Sequence, residues 1–455
     1  MTHPWRQKLH LEPPTGWMND PNGLCWFQDR CHVFFQFCPD SAAGHGQKQW
    51  GHFSGKDLLH WRFHGTALWP DTAADRDGVY SGCAVVQTNA MHLFYTGNVK
   101  LPGAHDYIRS GRYANVIHTK STDGLHFSPK QILLRNADYP DFCSCHVRDP
   151  KVWQEEGKWQ MLLGARTQND TGCALWYRGD TLTDWRYHGT LHADARFGYM
   201  WECPDSFILE GRRFFCVCPQ GLPHAESRFQ NIYQAGWFPM PWAMETPLAV
   251  SAFHEWDLGF DFYAPQSFRM PDSRRLLIGW MGLPDAPYEN PTTALGWQHC
   301  LTLPRELTVD TEGKLLQAPM RELLTLREAG QCLPASKPVL LEPPFDLEAA
   351  CTDSFRITFA EHLTLAYVAE TGYCTLTFSD GKLGGGRTQR TAYLPACENL
   401  RLVCDTSSVE CYLQNGACVL STRFYPATGA IPVCASGCTA TIFPLQSMEV
   451  IFDGT

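Results

Sequence analysis

The sequence predicts an all-β chain, a five-bladed β-propeller followed by a C-terminal β-sandwich. Three observations predict it. One plan of apolar strand, short polar turn and returning apolar strand recurs five times. Long helical periodicity is missing from that recurring region. Beyond residue 334 the chain changes to a run of alternating strands.

The recurring segments begin at Asn19 (NDPNGLCWFQDRCHVFFQF), Tyr80, Arg148 (RDPKVWQEEGKWQMLLGAR), Trp201 and Phe262, about sixty residues apart. Related outer elements, such as KDLLHWRFHG and GDTLTDWRYHGTL, follow and close four-stranded units. Five such units describe a propeller; two packed sheets with irregular spacing are the alternative. In a propeller the first strand of each unit lines the central channel. Three of the five openings carry an acid: Asp20, Asp149 and Glu202. The fold would gather these three around one axis, where their pKa values are pushed apart.

Composition narrows the function. The 455 residues, 44% of them hydrophobic, exceed what one core usually serves. The expected division is a propeller over 1–310, a linker with a short helix over 311–334, and a sandwich over 335–455. The helix is expected from Leu and Met at helical spacing in GKLLQAPMRELLTLREAG. Aromatics reach 13%, with 16 Trp, which suits a β-rich protein and one that stacks sugar rings. Charged residues are 18%, the formal net charge is -10, and no basic cluster stands out, so nucleic acid is not an expected partner. No run approaches the ~18 apolar residues of a membrane span. The first twenty residues lack a signal-peptide run, so a cytoplasmic location is expected, with the 20 Cys as buried thiols. Cys143 and Cys145 are spaced C-x-C with His146 beside them, which departs from the usual zinc spacing. No metal and no organic cofactor are expected.

The motifs WMNDPNG (Trp17 to Gly23), RDP (Arg148 to Pro150) and ECPD (Glu202 to Asp205) resemble, in order and spacing, the signatures of glycoside hydrolase family 32, the invertases, sucrose-6-phosphate hydrolases and fructanases. FFQF around Gln36, QWGHFSGKDLLHW, YSG and LTLPREL extend the resemblance from about residue 8 to 327. It implies a retaining β-fructofuranosidase acting on sucrose or sucrose 6-phosphate. Asp20 would be the nucleophile, Glu202 the acid and then base, and Asp149 the stabiliser of the transition state. The residue types suit this chemistry, since two carboxyls flanking a glycosidic bond divide its cleavage. An exo-acting fructanase of the same family and a non-catalytic sugar-binding propeller are the alternatives.

Around the acids, Pro21 biases Asp20 away from helix, and Asn22-Gly23 can turn with positive φ. Asn19 can bond a sugar hydroxyl and Trp17 can wall the pocket. Arg148 either holds substrate and keeps Asp149 ionised or forms a structural salt bridge. Cys203, next to Glu202 in a strand, should point away from the pocket. Gln36, Trp50, Tyr80 and Ser81 are further substrate-binding candidates by resemblance, and Trp50 is equally a core aromatic. Asp261, Tyr263, Gln266 and Trp297 are candidates for the rim. His45 and Lys48, in SAAGHGQKQWGH, could face a phosphate on the glucose moiety; Lys48 as a solvated loop lysine is the plain alternative.

The sandwich strands include DTSSVECYLQNG, and Glu410 within it is expected to be structural or an interdomain contact. The sandwich carries no catalytic constellation. It is open as a buttress, a homodimer surface or a weak sugar-binding module. The expected partner is a small sugar: sucrose, sucrose 6-phosphate or short fructo-oligosaccharides.

Overall fold

A computed structural model describes residues 3–241, 246–360 and 362–452. It is all-β, with a propeller-type arrangement of sheets and a C-terminal β-sandwich-like sheet. The first sheet is built on Gly16–Phe27, Arg30–Cys38, Gln49–Gly55 and His60–Leu68. The second begins with Val79–Gln87, the third with Cys143–Glu155, the fourth with Met200–Leu209 and the fifth with Tyr263–Arg269. Within each sheet, these successive strands pair antiparallel.

Each sheet is apolar on both faces, and the core is divided accordingly. Phe34 and Trp50 of the first sheet pack with Leu93 and Tyr95 of the second. Phe94 meets Met161 and Leu163 of the third. Trp176 meets Trp201 and Phe238 of the fourth. Trp237 meets Tyr263 and Leu277 of the fifth, and Ile278 meets Phe35 and Phe53 of the first. Side chains of this size, removed from water between every neighbouring pair, supply the main drive to assemble the sheets.

Two ends of the chain do what the sequence pattern does not announce. Trp297–Gln298 pairs parallel with Gly16–Phe27, and Glu449–Phe452 pairs parallel with His60–Leu68. The last strand therefore returns from the C-terminal region to edge the first sheet. The segment 311–334, expected to be a linker with a helix, differs as well. Leu315–Pro319 is the outer strand of the fifth sheet, and only Arg321–Leu326 coils, as a 3₁₀ helix. The Leu and Met spacing there serves strand and turn burial: Leu315, Met320 and Leu323 all enter cores.

The C-terminal sheet has ten strands. Its two long members, Phe345–Phe359 and Ile431–Pro444, pair across a register shift between Cys351 and Arg356. The shift lets one strand pair serve both layers of a single apolar core.

Candidate active site

The stretch 16–27 holds the first acid, and it is not a turn. It is one strand with two register shifts, between Met18 and Pro21 and between Asn22 and Cys25. The same irregularity recurs within every other inner strand: at Tyr80/Gly82, opposite Leu162/Gly164 at Asp149-Pro150, at Glu202/Asp205 and at Tyr263/Gln266. In four of the five a proline follows the bulge position: Asp20-Pro21, Asp149-Pro150, Cys203-Pro204 and Ala264-Pro265. Proline cannot donate to the ladder, so it fixes the place where pairing lapses. Asp149, Cys203 and Ala264 take φ of 63°, 48° and 47°. Bulges of this kind re-aim side chains, and here they turn the acids onto one cavity.

That cavity, of about 700 Å³, is lined by Asp20, Asp149 and Glu202 together. Ser81 Oγ donates to Asp20 Oδ2 at 2.5 Å and Asn19 Nδ2 to Asp20 Oδ1 at 3.0 Å. Trp17 Nε1 in turn donates to Asn19 Oδ1 at 2.7 Å. The tryptophan thus orients the asparagine that orients the acid. Asn22 Oδ1 accepts from the Gly82 N–H at 2.9 Å and ties this bulge to the second sheet.

Glu202 is held on both oxygens. Arg148 donates to Oε1 from Nε and Nη2 at 3.0 and 2.6 Å, while Gln220 and the Tyr263 hydroxyl each donate to Oε2 at 2.7 Å. The third Arg148 nitrogen bonds His146 Nδ1 at 2.8 Å, and His146 Nε2 meets the Tyr107 carbonyl at 2.9 Å. Both His146 nitrogens are therefore engaged, and burial beside Arg148 lowers its pKa to about 3. Arg148 pairs with Glu202, not with its sequence neighbour Asp149.

Asp149 is buried. Its Oδ2 accepts from the Cys203 N–H at 2.9 Å, and its own N–H donates to Thr96 at 2.9 Å. Burial raises the pKa to about 7, against the pull of Arg148. Burial likewise raises Asp20, opposed by its bonds from Ser81 and Asn19. Cys203 is buried in the core and does not line the cavity, as expected, but it stays close to the acids. Its thiol lies 3.9 Å from Asp20 Oδ2 and 3.8 Å from Asp149 Oδ2. The bulge breaks the two-residue alternation and folds Cys203 beneath both acids, where its hydrogen bond with Cys218, burial and the nearby carboxylates raise its pKa and keep the thiol protonated.

The other expected residues divide. Trp17, Asn19, Gln36, His45, Lys48, Tyr80, Ser81 and Arg148 all line the cavity. Trp50 is fully buried instead, packed on Phe34 and Tyr95 with its Nε1 donating to the Tyr80 carbonyl at 3.1 Å. It supports the wall from the core. Tyr263 enters the cavity, but Asp261, Gln266 and Trp297 do not. Asp261 bonds Arg387 and Arg423, Gln266 bonds the Gly82 carbonyl, and Trp297 sits under Arg6. Lys48 is not a solvated loop lysine: its Nζ donates to the Gly44 carbonyl at 3.0 Å and lies 5.0 Å from the Trp17 ring centre. Arg112, Arg166, Tyr199, Gln220 and His299 also line the cavity and escaped the sequence reading. They come from second strands, third strands and loops, outside the repeated openings.

Asp20, Asp149 and Glu202, brought onto one cavity by an all-β scaffold, suit a glycoside hydrolase. The chain belongs to glycosyl hydrolases family 32. The N-terminal domain model of that family matches residues 10–319 and the C-terminal model residues 351–450. A sucrose-6-phosphate hydrolase of Bacillus subtilis is 38% identical over 95% of this chain and 91% of its own. A raffinose invertase of Escherichia coli is 38% identical over 99% of this chain and 94% of its own. The solved sucrose-6-phosphate hydrolase of Lactobacillus gasseri superposes with a TM-score of 0.88 at 27% identity, covering 98% and 94% of the two chains.

Proposed function

We propose that this protein is a retaining β-fructofuranosidase that hydrolyses sucrose 6-phosphate and sucrose. Asp20 attacks the anomeric carbon of the fructosyl unit and forms the covalent intermediate. Glu202 gives a proton to the departing glycosidic oxygen, then takes one from the water that releases fructose. Asp149 accepts hydrogen bonds from fructosyl hydroxyls and offsets the positive charge of the oxocarbenium-like transition state. The observation that carries this reading is the pairing of two carboxyls with opposite support. Asp20 is fixed by neutral donors, as suits an attacking oxygen. Glu202 is held on both oxygens by a charged donor, Arg148, and by Gln220 and Tyr263, which fix the carboxyl in place on the same cavity. The names borne by similar proteins, sucrose-6-phosphate hydrolase among them, support the same substrates.

Five inner strands that contact one another in a cycle support the further reading of five blades around one channel. We place the catalytic unit through Pro319 and the sandwich from Gln331 onward. A reducing, cytoplasmic setting suits the twenty free thiols.

Two measurements test the chemistry. Comparing kcat/KM for sucrose 6-phosphate and sucrose should favour the phosphorylated sugar by about tenfold or more, the worth of one charge-assisted contact. Equal values reject that preference. In a pH–rate profile of kcat/KM, which reports the free enzyme, the acid limb should lie above the ordinary carboxylate value of 3.8, reaching toward 7. The sign follows from burial: both acids must lose a proton to work, and both hold it to higher pH than in water. An acid limb below about pH 4 contradicts this assignment.

A further inference from the structure

Among the described residues, two cations on the cavity wall, Arg112 and Lys48, have no acid partner, and they differ in what else they bond. Arg112 opens the strand Arg112–Ser121 of the second sheet, and its side chain lines the cavity. Its Nε–H is shielded from solvent and has no hydrogen-bond partner. The basic neighbours are placed differently. Arg148 is committed to Glu202 at 2.6 Å, and Arg109 and Arg166 share Asp170 at 2.8 and 2.7 Å. Among the described residues, no carboxylate lies within ion-pair distance of Arg112. A guanidinium keeps its charge at any working pH, and a shielded, unmatched donor is costly until a ligand supplies an acceptor.

The location selects which half of the substrate would supply it. Arg112 lines the cavity together with Arg148 and Glu202 and lies within electrostatic reach of both. Glu202 is the acid that protonates the leaving oxygen, so the leaving aldose lies against this wall. Lys48, by contrast, stands over Trp17 and feels Asp20, on the side that holds the fructosyl unit. It has already given one donor to Gly44. The phosphate of sucrose 6-phosphate hangs on the aldose. A planar fork of unused donors matches a phosphate bidentately, which an ammonium does not.

We propose that Arg112 binds the phosphate of sucrose 6-phosphate and sets the preference for the phosphorylated sugar, in place of His45 and Lys48. The inference rests on the sucrose 6-phosphate reading above.

The test measures kcat/KM for sucrose 6-phosphate and for sucrose in the wild type, Arg112→Gln, Arg112→Lys and Lys48→Met, with inhibition by glucose 6-phosphate alongside. In Arg112→Gln the ratio of the two kcat/KM values should fall about ten- to hundredfold, through KM, as expected for losing a charged hydrogen-bond pair. Inhibition by glucose 6-phosphate should weaken in step, and Arg112→Lys, which keeps the charge without the fork, should recover part of both. Should Arg112→Gln not fold, Arg112→Lys against Lys48→Met decides the matter. A wild-type ratio in both Arg112 variants overturns the proposal, as does a collapse of the ratio in Lys48→Met alone. A wild type indifferent to the phosphate overturns the substrate reading itself, and is seen before any variant is compared.

Discussion

On the proposed mechanism, Asp20→Asn is expected to lower kcat by about 10⁴-fold or more while the fold survives. The size follows from what is lost: an amide cannot form the glycosyl ester, and removal of a covalent nucleophile is among the largest single effects in enzymes. The survival follows from what is kept. Asparagine has nearly the same shape, can still accept from Ser81, and leaves the Trp17–Asn19 contact untouched. Thermal unfolding therefore shifts little, and relief from burying an ionisable group acts toward stability. Glu202→Gln provides the contrast. For sucrose it also removes most activity, because the leaving oxygen then departs without a proton. For fructosyl fluoride, whose leaving group needs none, the Glu202 variant keeps the first step while the Asp20 variant loses it. Equal losses in both variants on both substrates would put the two roles in doubt, and a folded Asp20→Asn that turns over sucrose at a wild-type rate would remove Asp20 from the mechanism.

The acids were legible because repetition made them so. Five openings of similar plan, three with a carboxyl, place Asp20, Asp149 and Glu202 at equivalent points before any coordinates exist. What was not legible follows from one assumption, that strands alternate regularly. Regular alternation does not foresee the Cys203 thiol lying against Asp20 and Asp149, because a bulge with φ of 48° intervenes. The sign was present in the sequence: an X-Pro step in the middle of four inner strands is hard to reconcile with a regular ladder. Trp50 was ambiguous because an aromatic near a pocket and one beneath it share the same local pattern, and only its complete burial separates them. Besides Arg148, the donors on Glu202 are Gln220, on the next strand of the same sheet, and Tyr263, on the inner strand of the fifth. No local pattern announces such contacts. The strand Glu449–Phe452 falls in the stretch read as sandwich, and its pairing with the first sheet went unseen for the same reason: its partner lies near residue 60.

The other large effect lies away from the cavity, at Glu410. This carboxylate is wholly buried between the propeller-type sheets and the C-terminal sheet and accepts five hydrogen bonds. They come from His10 at 3.0 Å, the Leu303 N–H at 2.8 Å, two Arg305 nitrogens at 3.0 and 2.7 Å, and the Tyr412 hydroxyl at 2.7 Å. Asp257 and Asp405 complete the cluster on Arg305 and His10. Breaking a buried network by removing one member leaves the rest uncompensated, so Glu410→Ala is expected to destabilise by about 3–5 kcal/mol. The network also carries a pH signature. Burial alone would lower the His10 pKa, but the bonds and charges of Asp405 and Glu410 outweigh it and raise it to about 9. A base whose folded pKa exceeds its unfolded value of 6.5 adds stability that is complete below pH 6.5 and fades as pH rises through about 9. The full effect is about 3 kcal/mol. Urea unfolding at pH 6 and pH 9 should show the wild type losing stability across that window. Glu410→Gln, which keeps shape but removes one of the two charges facing His10, should lose distinctly less. A wild type equally stable at both pH values, or a Glu410→Ala protein as stable as the wild type, would mean that the two halves are held by apolar contact rather than by this cluster.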